Sequence, residues 1–170
     1  NLQDGEKNIS CGWHAIEFLL WGQDKSTTGP GNRPFTDYTS APFATRRGQY
    51  LQACADLLIT HFEDLLKQWA PGKLGNFRAI FEEGYDQSIE RLLTGMIFLS
   101  GNELAGERLQ VAWDTKEQED EHSCFSDMTH QDIIFDALGL QNIYRGQYVR
   151  LDGTRLSGPS LRQLAELVQP

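Results

Sequence analysis

The chain has 170 residues, of which 39% are hydrophobic and 23% charged, so it is long enough to bury a core and is not compositionally disordered. Its net charge of -9 argues against a nucleic-acid surface and favours a cationic, metal or neutral partner. No apolar run approaches the length of a membrane span, and we find neither a signal peptide nor an initiator Met, so we expect a processed or trimmed product.

The segment from Ser10 to Gly22 is the densest apolar stretch, and it predicts a helix with Ser10 as N-cap and Gly22 as its stop. On this helix His14 and Glu17, three residues apart, share one face. Burying both is costly unless they bind each other, a metal or a ligand. Two interpretations follow from the spacing: a hydrogen-bonded pair that fixes packing, or a polar site.

Turn-forming residues dominate 23–43, which we predict to be a loop whose Asp37 and Tyr38 could fold back over the first helix. Apolar residues then recur every three or four positions over 44–69, which predicts a long helix that ends before Pro71. A second long helix, with a possible kink, is predicted over 76–105 with Asn76 as N-cap, and the two should pack antiparallel.

Several charged residues follow the second long helix. Glu103 and Glu107 would share a helix face, either bridged by Arg108 or simply solvated at a helix end. Ser126 is predicted to cap a helix over 127–138 that stops at Gly139, which would place Asp127 and His130 on one face of its first turn.

A second cluster of candidate ligands therefore contains His122, Cys124, Asp127 and His130. Imidazole and carboxylate donors suit iron, zinc or manganese. No spacing in the chain matches a zinc finger or an HExxH motif. The metal site predicted from the sequence comprises five residues: His14, Glu17, His122, Asp127 and His130.

The C-terminal part contains shorter elements. We predict a turn over 142–146, an extended segment over 147–151 with a turn at Asp152-Gly153, and a short helix after Ser160. That helix has Leu161, Leu164 and Leu167 on one face and suggests that the parent chain continues. Cys11, Cys54 and Cys124 allow at most one internal disulfide. Because apolar residues recur mainly every three to four positions along the chain, the predicted fold class is all-α.

Several stretches together resemble the imelysin family, and its iron-regulated branch in particular. Gly12-Trp-His14-Ala-Ile-Glu17 is similar to the GxHxxE signature of that family. The other matching stretches are Pro30–Tyr38, Leu93–Met96, Glu103–Arg108, Asp120–His130 and Ser157–Leu161. The matches span nearly the whole chain and are far more specific than a lone HxxE pair.

The resemblance implies an all-helical fold of two related four-helix bundles, of which residues 1–170 would be one helical domain and a fragment of a longer chain. It also implies a bacterial envelope protein, periplasmic or lipid-anchored at the surface, that is induced in iron limitation. Partners would be a metal or iron-bearing ligand, other envelope iron-uptake proteins, or a second chain completing the fold. Met128 stands where the family motif usually has a polar residue.

Three functions compete. The first is a protein that binds iron or an iron-bearing ligand through the five residues of the predicted metal site, with iron or zinc as the metal. The second is a metallopeptidase with Glu17 as ligand or general base, although HxxE lacks the second histidine of HExxH. The third is a structural or interaction bundle in which the same residues are hydrogen-bond partners in the core.

Overall fold

The computed structural model describes residues 10–168, and most of them are helical. The α-helices are α1 (Trp13–Trp21), α2 (Ala44–Trp69), α3 (Phe77–Glu83), α4 (Asp86–Ile97), α5 (Val111–Thr115), α6 (Thr129–Arg145) and α7 (Leu161–Val168). A π-helix (Phe98–Gln110) and two 3-10 helices (Phe35–Tyr38 and Gln118–Asp120) join them. Within 10–168 the only sheet is the antiparallel pair β1 (Gln147–Val149) and β2 (Arg155–Ser157). The predicted all-α class is confirmed.

The described residues form two units. The first unit contains residues 10–92 together with Ser123–Asp127, and the second contains Leu93–His122 and the residues from Met128 onward. The first unit is therefore discontinuous in sequence. None of the described helices is long and apolar enough to cross a membrane.

In the first unit α1 lies against α2, and the predicted bounds of α2 are confirmed. Leu19 of α1 and Cys54 of α2 are the buried apolar residues among those described in this unit. The hydroxyl of Tyr38 donates to the carbonyl oxygen of Leu19, so the predicted folding of the loop over the first helix is confirmed. The backbone carbonyl of Ser10 accepts hydrogen bonds from the Tyr50 hydroxyl and, at 3.7 Å, from the Cys54 thiol.

Asn76 joins the end of α2 to the start of α3, and its predicted role as N-cap is confirmed. Its Oδ1 accepts from the Ala79 N–H at 3.0 Å, while its Nδ2 donates to the Ala70 carbonyl at 2.8 Å. Beside it the Trp69 ring packs at 5.2 Å from the Phe77 ring. The single helix predicted over 76–105 is interrupted at Tyr85, whose φ of 42° lies in the left-handed region.

The second unit is built around α6, which contacts the π-helix, β1 and α7. Helix α6 runs through Gly139 and ends at Gly146, with a φ of 60°, so the predicted stop at Gly139 and the predicted turn over 142–146 are wrong. The extended segment is confirmed over Gln147–Val149, two residues short of its predicted end, and the Asp152-Gly153 turn and the terminal helix are confirmed. Arg108 donates to Glu103 across the π-helix at 3.4 Å.

Candidate functional site

Helix α1 begins at Gly12, whose φ of 91° and ψ of -169° are accessible to glycine and strained for other residues. The N-cap position makes no side-chain hydrogen bond, so the predicted capping by Ser10 is wrong. The physical reason is that Ser10 lies two residues before the N-cap, where Tyr50 and Cys54 of α2 hold its backbone carbonyl. The glycine of the GxHxxE stretch thus sets where the helix starts.

His14 and Glu17 face each other one turn apart, as the sequence predicted. Nδ1 of His14 lies 2.9 Å from Oε2 of Glu17. The Glu17 residue is buried, with 8% of its surface exposed, whereas the His14 side chain remains 37% exposed. The carboxylate is therefore sequestered in the protein, whereas the imidazole beside it is partly accessible to solvent.

The second oxygen of Glu17 receives two hydrogen bonds from Ser126. The Ser126 backbone N–H donates to Oε1 at 2.9 Å, and the Ser126 hydroxyl donates to the same oxygen at 2.6 Å. Ser126 is also buried. These bonds offset the cost of burying a carboxylate, because each charge-assisted hydrogen bond replaces one to water. We call Glu17, His14 and Ser126 the carboxylate clamp.

Because Ser126 serves this clamp, it does not cap the next helix, and that prediction is wrong. Helix α6 begins at Thr129, after Met128 as N-cap. Asp127 has a φ of 56° and lies outside α6, so the predicted pairing of Asp127 and His130 on one helical face is also wrong. Asp127 belongs to the first unit and His130 to the second.

Residues 123–127 are held against α1 by further contacts within the first unit. The Gly31 N–H donates to the Phe125 carbonyl at 2.9 Å, and the Phe125 ring meets the Phe18 ring edge-on at 5.1 Å. Position 31 admits only glycine, because a Cβ there would lie 2.7 Å from the Trp21 carbonyl oxygen. The predicted loop and residues 123–127 thus meet at the C-terminal end of α1.

Arg33 occupies that same end of α1, and no pattern in the sequence singles it out. Its Nη2 donates to the Phe18 carbonyl at 3.0 Å, its Nη1 donates to Asp37 at 2.9 Å, and its guanidinium lies 5.2 Å from the Phe18 ring centre. A cation at a helix C-terminus is favourable because the unpaired carbonyls there carry partial negative charge. The buried Nε has no partner among the described residues.

Tyr38 completes this end of the helix through its bond to Leu19. Burial raises the pKa of the Tyr38 phenol, although the nearby cations Arg33 and Arg47 act in the opposite direction. The neutral phenol is the form that donates to a backbone carbonyl. Arg33 and Tyr38 therefore fix the helix that carries the carboxylate clamp from its far end.

The second unit contains another imidazole–carboxylate pair. Nδ1 of His122 lies 2.9 Å from Oδ2 of Asp132 on α6, and both side chains are about 30% exposed, at 28% and 31%. His130 is exposed on the first turn of α6. The sequence does not predict Asp132 as the partner of His122, because a separation of ten residues matches no helical or strand period. The one available signal is that Asp132 falls in the first turn of a helix that starts at 129.

The structure thus brings together two of the five predicted metal ligands, His14 and Glu17. No group of three or more His, Cys, Asp or Glu side chains within residues 10–168 is placed to hold a metal ion. The donor types of both pairs, imidazole with carboxylate, are nonetheless those that iron and zinc accept. No disulfide joins Cys11, Cys54 or Cys124 in the described chain.

Comparison with known families agrees with the residues around the clamp. The model of the peptidase family described as Imelysin matches residues 1–170. No curated protein matches the chain. The family match covers the whole sequence, including the glycine that starts α1 and the histidine and glutamate that follow it. The chain therefore belongs to the imelysin family.

Proposed function

We propose that this chain is an iron-uptake protein of the bacterial envelope that receives a metal ion or an iron-bearing ligand beside His14. The carboxylate clamp carries the proposal. Metal-binding histidines commonly donate one ring N–H to a carboxylate, which fixes the tautomer and directs the other nitrogen to the metal. The 2.9 Å contact between His14 Nδ1 and Glu17 Oε2 supports this role, in which Nε2 would be the ligand nitrogen.

In this proposal Glu17 orients the histidine and does not bind the metal itself. Its Oε2 faces His14 and its Oε1 accepts both hydrogen bonds from Ser126. Releasing either oxygen for a metal would break contacts within a buried carboxylate. Among the alternatives from the sequence, the clamp therefore favours a positioning role for Glu17 over a ligand role.

His122, Asp127 and His130 remain proposed ligands, each considered within its own unit: Asp127 in the first, and His122 and His130 in the second. The pairing of His122 with Asp132 repeats the arrangement of His14 with Glu17, which supports His122 as a second oriented imidazole. Histidine nitrogen and carboxylate oxygen would supply a donor set suited to iron or zinc. The bound metal would supply the affinity for an anionic or chelating ligand.

The test is calorimetric titration of the protein with ferrous, ferric and zinc ions. We expect binding that His14→Ala abolishes and that Glu17→Gln weakens by about 10- to 100-fold, the range found when an outer partner of a metal ligand is removed. His61→Ala, an exposed histidine on α2, is the matched control and should leave the affinity unchanged. Heat equal to that of buffer for all three ions would remove direct metal binding.

A metallopeptidase activity is the second candidate, because the matching family model is that of a peptidase family. Such an activity would need an acid or base near a metal-bound water. Cleavage of an unstructured protein substrate that is lost in Glu17→Gln, with the fold retained, would favour the peptidase over a binding protein. Absence of cleavage by the metal-loaded protein would favour binding alone.

A further inference from the structure

The C-terminal part of this acidic chain is locally basic. Within 144–168 there are four arginines, Arg145, Arg150, Arg155 and Arg162, against two acidic residues, Asp152 and Glu166. The whole chain carries a net charge of -9. A local excess of cations in such a chain needs an explanation, and in this stretch two of the arginines face a common cleft.

This cleft lies wholly within the second unit, between the end of α6, the β1–β2 pair and the start of α7. It has a volume of about 510 Å³, which falls within the range of small-molecule sites. Its principal polar lining groups are Arg145, Gln147, Ser157, Arg162, Gln163 and Glu166. The walls therefore offer mainly guanidinium, amide and hydroxyl groups.

The backbone brings the two arginines to this cleft. Gly146 ends α6 with a φ of 60°, and its carbonyl accepts from the Gly158 N–H at 2.9 Å. A Cβ at position 146 would lie 2.5 Å from the Pro159 carbonyl oxygen, so only glycine allows this close approach. Arg145 directly precedes this junction, and α7, which carries Arg162, begins two residues after Pro159.

The start of α7 is fixed by a reciprocal cap. The Ser160 hydroxyl accepts from the Gln163 N–H at 3.1 Å, and the Gln163 side chain accepts from the Ser160 N–H at 3.1 Å. Arg162 is steadied by Glu166, whose Oε1 lies 2.9 Å from its Nε. This contact leaves the two terminal amino groups of Arg162 to bind elsewhere, because a guanidinium has five N–H donors.

Arg145 gives the lining of the cleft its net positive charge. Glu166 is matched by Arg162, whereas Arg145 forms no ion pair with any residue between 10 and 168. Two guanidinium groups with one carboxylate suit a ligand with a negatively charged planar or tetrahedral oxygen group. We propose that this cleft binds a small molecule through a carboxylate or phosphate group held by Arg145 and Arg162.

The test is calorimetric titration with inorganic phosphate and, separately, with succinate, both at low ionic strength. We expect saturable binding of at least one, and the probe that saturates identifies the group. Arg145→Gln should weaken it about tenfold or more, because a charged hydrogen-bond donor is lost. Arg150→Gln removes the same charge from the same stretch but outside the cleft lining, and should leave the affinity nearly unchanged.

Arg162→Lys keeps the charge but loses the forked guanidinium donors, so it should also weaken binding. If circular dichroism shows that Arg145→Gln does not fold, Arg162→Lys takes its place in the test. The proposal is overturned if neither probe saturates. It is also overturned if Arg145→Gln and Arg150→Gln weaken binding equally, because the effect would then be a general attraction of anions to the basic stretch.

Discussion

At the scale of single residues, Glu17 links the first helix to a segment more than a hundred residues later in the chain. One buried carboxylate accepts from a histidine one turn away and from a serine 109 positions away. The sequence could predict the first contact from helical spacing. It could not predict the second, because nothing local to Ser126 distinguishes a helix cap from a partner for a distant acid.

We predict that Ser126→Ala destabilises the first unit by about 1–3 kcal/mol, since Glu17 loses the hydroxyl donor to a buried oxygen. Amide hydrogen exchange over 13–21 and 123–127 measures this loss of stability locally. A global denaturation curve is less suitable, because a chain of two units need not unfold in one step. Ser40→Ala, an exposed serine in the same unit, is the control. Equal protection in both variants would show that the hydroxyl contributes no stability.

At the scale of elements, the accuracy of the predictions depended on how local their determinants are. Helix α2 was predicted at its observed bounds because its apolar period and its terminating Pro-Gly are contiguous. A kink within 76–105 is among the predictions, but its position at Tyr85 and the π-helical turns at 98–110 are not, because apolar periodicity does not specify them. The predicted stop at Gly139 is wrong because a glycine inside a helix destabilises it by only about 1 kcal/mol relative to alanine. Helix α6 therefore continues through this position.

For the corner between α2 and α3 we predict that Asn76→Ala costs about 1–2 kcal/mol, because the Ala79 N–H loses its acceptor and the bond to the Ala70 carbonyl is lost. Urea denaturation is followed by fluorescence in a background where Trp69 is the single tryptophan, so that the signal reports on this corner, where Trp69 packs on Phe77. Asn32→Ala, at an exposed loop position, should change little. A midpoint for Asn76→Ala that matches that control would contradict the prediction.

At the scale of the whole molecule, charge and burial act together at high pH. The chain already carries a net charge of -9. Burial is the first cause that raises the pKa of both Tyr38 and Tyr50 above the value of about 10 found in unfolded chains. Both phenols donate hydrogen bonds to backbone carbonyls of the first unit, which only the neutral phenol can do. The folded state therefore favours the protonated form of each tyrosine.

The sign of the pH effect follows from these raised values. The stability from both phenols is fully present below pH about 10 and is lost as the pH rises through the folded-state pKa values, because the unfolded chain releases the protons more readily. We expect the melting temperature to fall steeply as the pH rises above about 10. A Tyr38→Phe, Tyr50→Phe double variant should show a flatter decline, and Tyr148→Phe, exposed on β1, should follow the parent. Identical slopes in all three proteins would contradict this.

The separation of 109 residues between the two ends of the carboxylate clamp has a consequence for biosynthesis. A ribosome that adds about 5–20 residues per second delivers Ser126 roughly 5 to 20 s after Glu17. Throughout that interval the nascent helix holds an acid whose serine donors have not yet been made. A chaperone that shields the emerging α1 segment would therefore act in the period before residues 123–127 leave the ribosome.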